Sequence, residues 1–271
     1  MVPITEKEFW QLSDYIKAHY GINLKEEKLS LVTGRLQKVL AANNMSSFSE
    51  FYKLILSDKT GNAAVNLINS ITTNHTFFMR ESEHFNFFKA KVLPDLVDNV
   101  RGNDLRIWSA GCSSGEEPYT LAMIIDEQLG ANKKNWDAKI LATDISSKVL
   151  EAAVRGVYEQ ERLATLPACW KMNYFIKYNG EQYIVSDKIR NEVIYRKFNL
   201  MEEVFPFKKK FHVIFCRNVM IYFDSETKAR LVEKFYELTE PGGYLFIGHS
   251  ESLGRDNTRY KYVMPAVYRK Q

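Results

Sequence analysis

The chain is short of the residues that would commit it to several common designs. Cys112, Cys169 and Cys216 are its only cysteines. They are few, odd in number and without metal-ligand spacing, so neither a disulfide framework nor a zinc site is expected, and no other metal is indicated. No run approaches the roughly 18 apolar residues of a membrane span, and the opening MVPITEKEFW has no apolar signal core. A cytoplasmic protein without membrane insertion is the expectation. There is no excess of charge of one sign: 37 basic and 33 acidic residues leave +4, far from the concentrated positive field of a nucleic-acid binder. Internal repeats, low-complexity linkers and long charge blocks are also missing.

What is present divides at about residue 75. Before it the patterns are helical. Thr5 and Glu8 make a capping box, Phe9, Leu12 and Ile16 follow on one face, and Gly21 offers a stop. In KEEKLSLVTGRLQKVL, Leu29, Val32, Leu36, Val39 and Leu40 form an apolar stripe flanked by Lys28, Arg35 and Lys38. Ser47 with Glu50 predicts another capping box, and a fourth pattern runs through Val65, Ile68 and Ile71. From about residue 104, strand-like runs alternate with helical stretches, which predicts an α/β fold with a mostly parallel sheet. LRIWSAG, AKILATDI, NEVIYRKFNL, FHVIFCRNV and GGYLFIGHS are the candidate strands, and YKYVMPAVYRK is expected to return as an antiparallel edge strand. Between Tyr158 and Ile194, two alternating runs around Asn179-Gly180 suggest a small antiparallel appendage.

The segment RIWSAGCSSGEEPYTLAM takes an apolar strand through a small-residue turn into a helix. Such a turn at the carboxyl edge of a parallel sheet is where open α/β folds bind ligands, and Gly111 and Gly115 are read as letting backbone approach one. Their spacing is not the dinucleotide G-x-G-x-x-G, and Glu116 and Glu117 would repel a pyrophosphate. S-adenosylmethionine, which has no phosphate and carries a sulfonium and an ammonium, fits better. Asp144, about 30 positions on, can accept both ribose hydroxyls or cap the next helix. The five histidines form no recognisable dyad.

Four stretches together resemble the chemotaxis receptor methyltransferases, the CheR family: SITTNHTFFMRE, WSAGCSSGEEPY, ATDIS, and IFCRNVMIYF followed by EPGGYLFIGHSESL. The resemblance covers essentially the whole chain. It implies a Rossmann-like, seven-stranded class I methyltransferase sheet over residues 76–271, a small all-α domain over 1–75 that contacts receptors, and an antiparallel β-subdomain inserted at about 158–195. It carries cofactor contacts over to Asn74, Thr76, Arg80, Gly111, Glu117, Asp144, Asn199, Leu200, Arg217 and Asn218. Arg80 and Tyr222 take the acceptor side, and Lys28, Arg35 and Lys38 meet the acidic helices of the receptors' cytoplasmic region. The implied reaction moves a methyl group from S-adenosylmethionine to receptor glutamates, leaving S-adenosylhomocysteine. The alternatives are a non-catalytic receptor-binding module of the same fold or a methyltransferase with another substrate. Because FIKYNGEQYIV is shorter and less glycine-rich than in members that dock a receptor's terminal pentapeptide, untethered recognition by a monomer is expected.

Overall fold

The computed structural model describes residues 2–26, 29–72, 75–254 and 258–271. Chain contacts sort it into two units. One comprises Met1–His75, Asn199–Met201 and Tyr222–Lys228, and the other Thr76–Phe198, Glu202–Ile221 and Ala229–Gln271.

The first unit is built by local rules. Helix α1 (Glu6–Tyr20) opens on the expected capping box: Thr5 accepts from the Glu8 amide while Glu8 accepts from the Thr5 amide at 3.0 Å. It ends where Gly21 turns left-handed, at φ 72°. Phe9, Leu12 and Ile16 are buried. α2 (Leu29–Ala42) buries Leu36 and Leu40, α3 (Phe48–Ser57) buries Phe51 and Ile55, and α4 (Asn62–Ile71) buries Leu67 and Ile68. The second box closes only halfway. Ser47 accepts from the Glu50 amide, but Glu50 turns to the Ser46 amide at 2.8 Å. The later segments join this unit through the Asn23 amide on the Tyr222 carbonyl at 2.8 Å and Lys17 on Asp224 at 2.9 Å. Asp224 also accepts from the Thr227 amide, and these bonds hold its carboxyl well below the usual range.

The second unit holds two sheets. Its strands are β1 (Ile107–Ala110), β2 (Ile140–Asp144), β3 (Val157–Glu159), β4 (Phe175–Asn179), β5 (Gln182–Val185), β6 (Val193–Lys197), β7 (Phe211–Cys216), β8 (Thr239–Ile247), β9 (Lys261–Met264) and β10 (Val267–Arg269). Seven form one sheet in the order β6-β2-β1-β7-β8-β10-β9. β6, β2, β1, β7 and β8 pair in parallel, while β10 and β9 run antiparallel. All four residues of β1 are buried, as a parallel strand covered on both faces requires. The unit's helices are α5 (Ser82–Phe87), α6 (Leu93–Asn99), α7 (Glu116–Leu129), α8 (Ser147–Arg155), α9 (Ala168–Tyr174), α10 (Asp187–Arg190) and most of α11 (Ser225–Leu238), whose first residues belong to the first unit. Phe215 and Phe246 stack at 4.3 Å in the core, and buried Trp108 donates its indole N–H to Thr143 at 2.9 Å.

Two expectations change. The single returning edge strand is a hairpin, because Pro265 and left-handed Ala266 (φ 62°) break the run into β9 and β10. The antiparallel appendage gains a third strand, giving the order β3-β5-β4. At three residues, β3 is too short to show alternation. Among the described residues, no helix is long and apolar enough to cross a membrane.

Candidate functional site

At the carboxyl ends of β1, β2 and β7, short loops of the second unit bring charged groups from distant sequence positions together. The turn after β1 is left-handed at Gly111 (φ 86°), Ser113 (φ 48°) and Gly115 (φ 95°). Four of its amides are already engaged. Those of Gly111 and Cys112 donate to the Thr143 carbonyl at 2.8 and 2.9 Å, Ser113 to Asp144 at 2.9 Å and Gly115 to the Cys112 carbonyl at 3.1 Å. A phosphate cradle needs such donors free, so the turn suits a ligand that is not a phosphate.

Packing inside the fold gives the glycines a further reason. A Cβ on Gly115 would lie 2.8 Å from the Tyr195 hydroxyl and 2.9 Å from the Ala153 Cβ, and one on Gly111 would collide with Val219. Positive φ and internal packing both require glycine at these two positions. Glu116 likewise turns inward. It is fully buried, accepts from Ser114 and Arg162 at 2.8 Å each, and burial pushes its carboxyl above the usual range despite those bonds.

Asp144 ends β2 half-buried. One oxygen accepts from the Ser113 amide and the other from the Ser146 amide at 3.0 Å, so it both braces the glycine turn and serves the start of α8. A carboxylate has about four acceptor positions, so these two bonds leave acceptor capacity for a ligand hydroxyl. Burial raises its pKa against the pull of the amides.

Arg217 is the hub. It donates to Glu117 and Glu81 at 3.0 Å each and to the Arg80 carbonyl, with its guanidinium 5.0 Å from the Phe85 ring. Glu117 also accepts from Ser109 at 2.7 Å. Arg80 donates to the Asn218 side chain at 2.7 Å, and Asn218 in turn donates to Glu81 at 3.2 Å. Burial pushes Glu81 upward, but the charge and hydrogen bonds of Arg217 outweigh it and hold the carboxyl low. Met79, Glu81 and Asn218 are all left-handed, at φ 59°, 56° and 59°. Strain of this kind persists where surrounding contacts over-determine it. With Glu81, Glu117 and Asp144 against Arg80 and Arg217, the rim suits a ligand with cationic groups.

The other expected residues belong to the first unit, carry bonds of their own or fall outside the described residues. The Thr76 carbonyl accepts from Arg162 at 3.1 Å. Asn74 and Lys28 fall outside the described residues. Asn199, Leu200 and Tyr222 belong to the first unit, where the Asn199 side-chain Nδ2 donates to the His19 carbonyl at 2.8 Å. Arg35 is half-buried and donates to the Ile71 carbonyl at 2.8 Å, whereas Lys38 is exposed.

Sequence reasoning missed Glu81 and Glu251. Glu251 is buried and accepts from the amides of Asn218 at 3.0 Å and Gly248 at 2.5 Å, and burial raises its pKa. Their only signals were an acid next to Arg80 and another in GHSES, neither informative without the fold.

Residues 7–72 match the family described as CheR methyltransferase, all-alpha domain, and residues 74–268 match CheR methyltransferase, SAM binding domain. A Borreliella burgdorferi "Chemotaxis protein methyltransferase" is 44% identical, covering 99% of this chain and 96% of that protein. A protein of the same description from Escherichia coli is 34% identical, covering 98% and 91% respectively. The Pseudomonas aeruginosa "Chemotaxis protein methyltransferase 2" is 37% identical over 97% and 93%.

Proposed function

The chain belongs to the CheR methyltransferase family, and we propose that it methylates glutamate side chains of chemotaxis receptors, using S-adenosylmethionine and forming methyl esters that serve sensory adaptation. The fold is that of a class I methyltransferase with an all-α amino-terminal domain. The observation that carries the reading is the rim itself: a turn with four of its amides engaged, a carboxylate with acceptor capacity beyond its bonds to the Ser113 and Ser146 amides, and an acid-rich set of charges around Arg80.

When bound, the cofactor supplies a methyl group already activated on a sulfonium, whose leaving group is a neutral thioether. The residues of this chain bind and align. Asp144 accepts the ribose hydroxyls, and Glu117, fixed by Ser109 and Arg217, offers negative charge to a cationic ligand. A glutamate acceptor, with a reference pKa of about 4.3, is already ionised at neutral pH. No general base is needed. Arg80 holds the incoming carboxylate by its guanidinium, with one nitrogen kept in place by Asn218. Holding it equally in ground and transition states would lower KM alone, so the gain in kcat comes from orientation.

In this reading Lys38, exposed on α2, meets acidic receptor helices, and Arg35 is partly committed to α4. Recognition is direct, without a terminal-peptide tether. The test is to mix purified protein, methyl-labelled cofactor and receptor-containing membranes, then release label with alkali. Esters yield volatile methanol. Label that survives alkali, or no transfer, would reject the proposal.

A further inference from the structure

We propose that Glu81, His84 and His249 form a binding site for a divalent transition-metal cation of the zinc class. One potential ligand atom from each lies within 4.8 Å of the others. The independent sign is His84. Its side chain is completely buried, yet neither ring nitrogen has a hydrogen-bond partner. The nearby Glu81 carboxylate sits 3.5 Å from Nδ1, and the Pro265 carbonyl acts on the ring without reaching hydrogen-bond geometry. Buried polar atoms normally find partners. An imidazole lone pair aimed into a cluster of ligating groups is satisfied by a cation.

The donor set selects the metal. Two imidazoles and a carboxylate suit zinc and its neighbours, while calcium and magnesium need more oxygens and copper(I) prefers sulfur. Glu83 can supply a fourth ligand, since its carboxylate lies 3.6 Å from His249 Nε2. The fixed half of the site is Glu81, anchored by Arg217 and Asn218, together with His84, whose ring packs edge-on against His249 at 4.4 Å. The other half is at the surface: the His249 side chain is 36% exposed and that of Glu83 72%. Tetrahedral zinc, with bonds of about 2.0–2.2 Å, needs ligand atoms roughly 3.3 Å apart. Small rotations of the exposed pair provide that contraction and an entry path. Arg217, sharing Glu81, opposes a second positive charge, which makes the affinity moderate. Sulfonium chemistry plays no part, so the site stands or falls independently of methyl transfer.

Zinc itself is the probe. The full chain, carrying Cys169→Ser to remove its exposed thiol, is titrated with zinc against a chromophoric chelator in buffer free of thiols. A single equivalent is expected to bind, unaffected by excess magnesium. His249→Ala, at an exposed position, should weaken binding by about tenfold or more, since losing even an outer-shell partner of a metal ligand costs about 10- to 100-fold. His84→Gln should do the same if it folds. No stoichiometric uptake, or unchanged affinity in His249→Ala, would overturn the site.

Discussion

The helical first unit and the rim of the β-sheet were built by opposite means. In the first, the decisive bonds are local: Thr5 to Glu8 three residues away, Ser47 to Glu50, and Gly21 to Lys17. At the rim they join residues 138 apart for Arg80 and Asn218, and 100 apart for Arg217 and Glu117. Among the described residues the helical unit holds one left-handed non-glycine residue, Asn44, whereas the rim holds four, Met79, Glu81, Ser113 and Asn218. Conformational cost is concentrated where ligand chemistry is proposed.

That contrast breaks first at Arg217. Arg217→Met leaves Glu81 and Glu117 without their buried partner, so a loss of about 3–5 kcal/mol is expected, read by denaturant unfolding, with cofactor binding abolished. A loss under 1 kcal/mol would mean the rim is not held by its ion pairs. Asp144→Ala should weaken S-adenosylmethionine binding by about 10- to 100-fold, the scale of one or two hydrogen bonds to a charged group. Calorimetry showing unchanged affinity removes Asp144 from the site.

The first unit gives smaller effects. Thr5→Ala should cost about 1 kcal/mol of stability and leave cofactor affinity unchanged; an altered affinity would erase the division between the two regions. Smallest is Asp224→Asn. Asp224 is held low by Lys17 and Thr227, so the folded state binds its proton less readily than the unfolded chain. Its contribution is present above the ordinary pKa of 3.8 and fades as pH falls through the lower folded value. With Lys17 half exposed, about 0.5–1 kcal/mol is expected at neutral pH. The substitution should flatten the acid limb of a stability-against-pH curve, and an unchanged limb would assign the acid sensitivity to other carboxylates.

Much of the fold was legible because its signals repeat along the chain. The capping box at Thr5, the stop at Gly21 and the five parallel strands all appear where short-range pattern placed them. The β9–β10 hairpin was read as one strand because Pro265 and Ala266 sit inside an otherwise continuous apolar run. At the site, Asp144 was visible at the end of a strand, but its brace on the Ser113 amide was not. Gly115 was visible as a glycine, while the Tyr195 and Ala153 side chains that exclude a Cβ come from positions far along the chain.

The sequence by itself determined the helices of the first unit, the strand periodicity and the kind of ligand the glycine turn could accept, since these follow from steric and hydrogen-bonding rules among near neighbours. Tertiary structure alone decided the partners of Arg217, the inward turn of Glu116 and the meeting of His84 with His249. Those arrangements depend on which strand lies beside which, and on the strong hydrogen-bond and charge terms that arise only once water has been excluded.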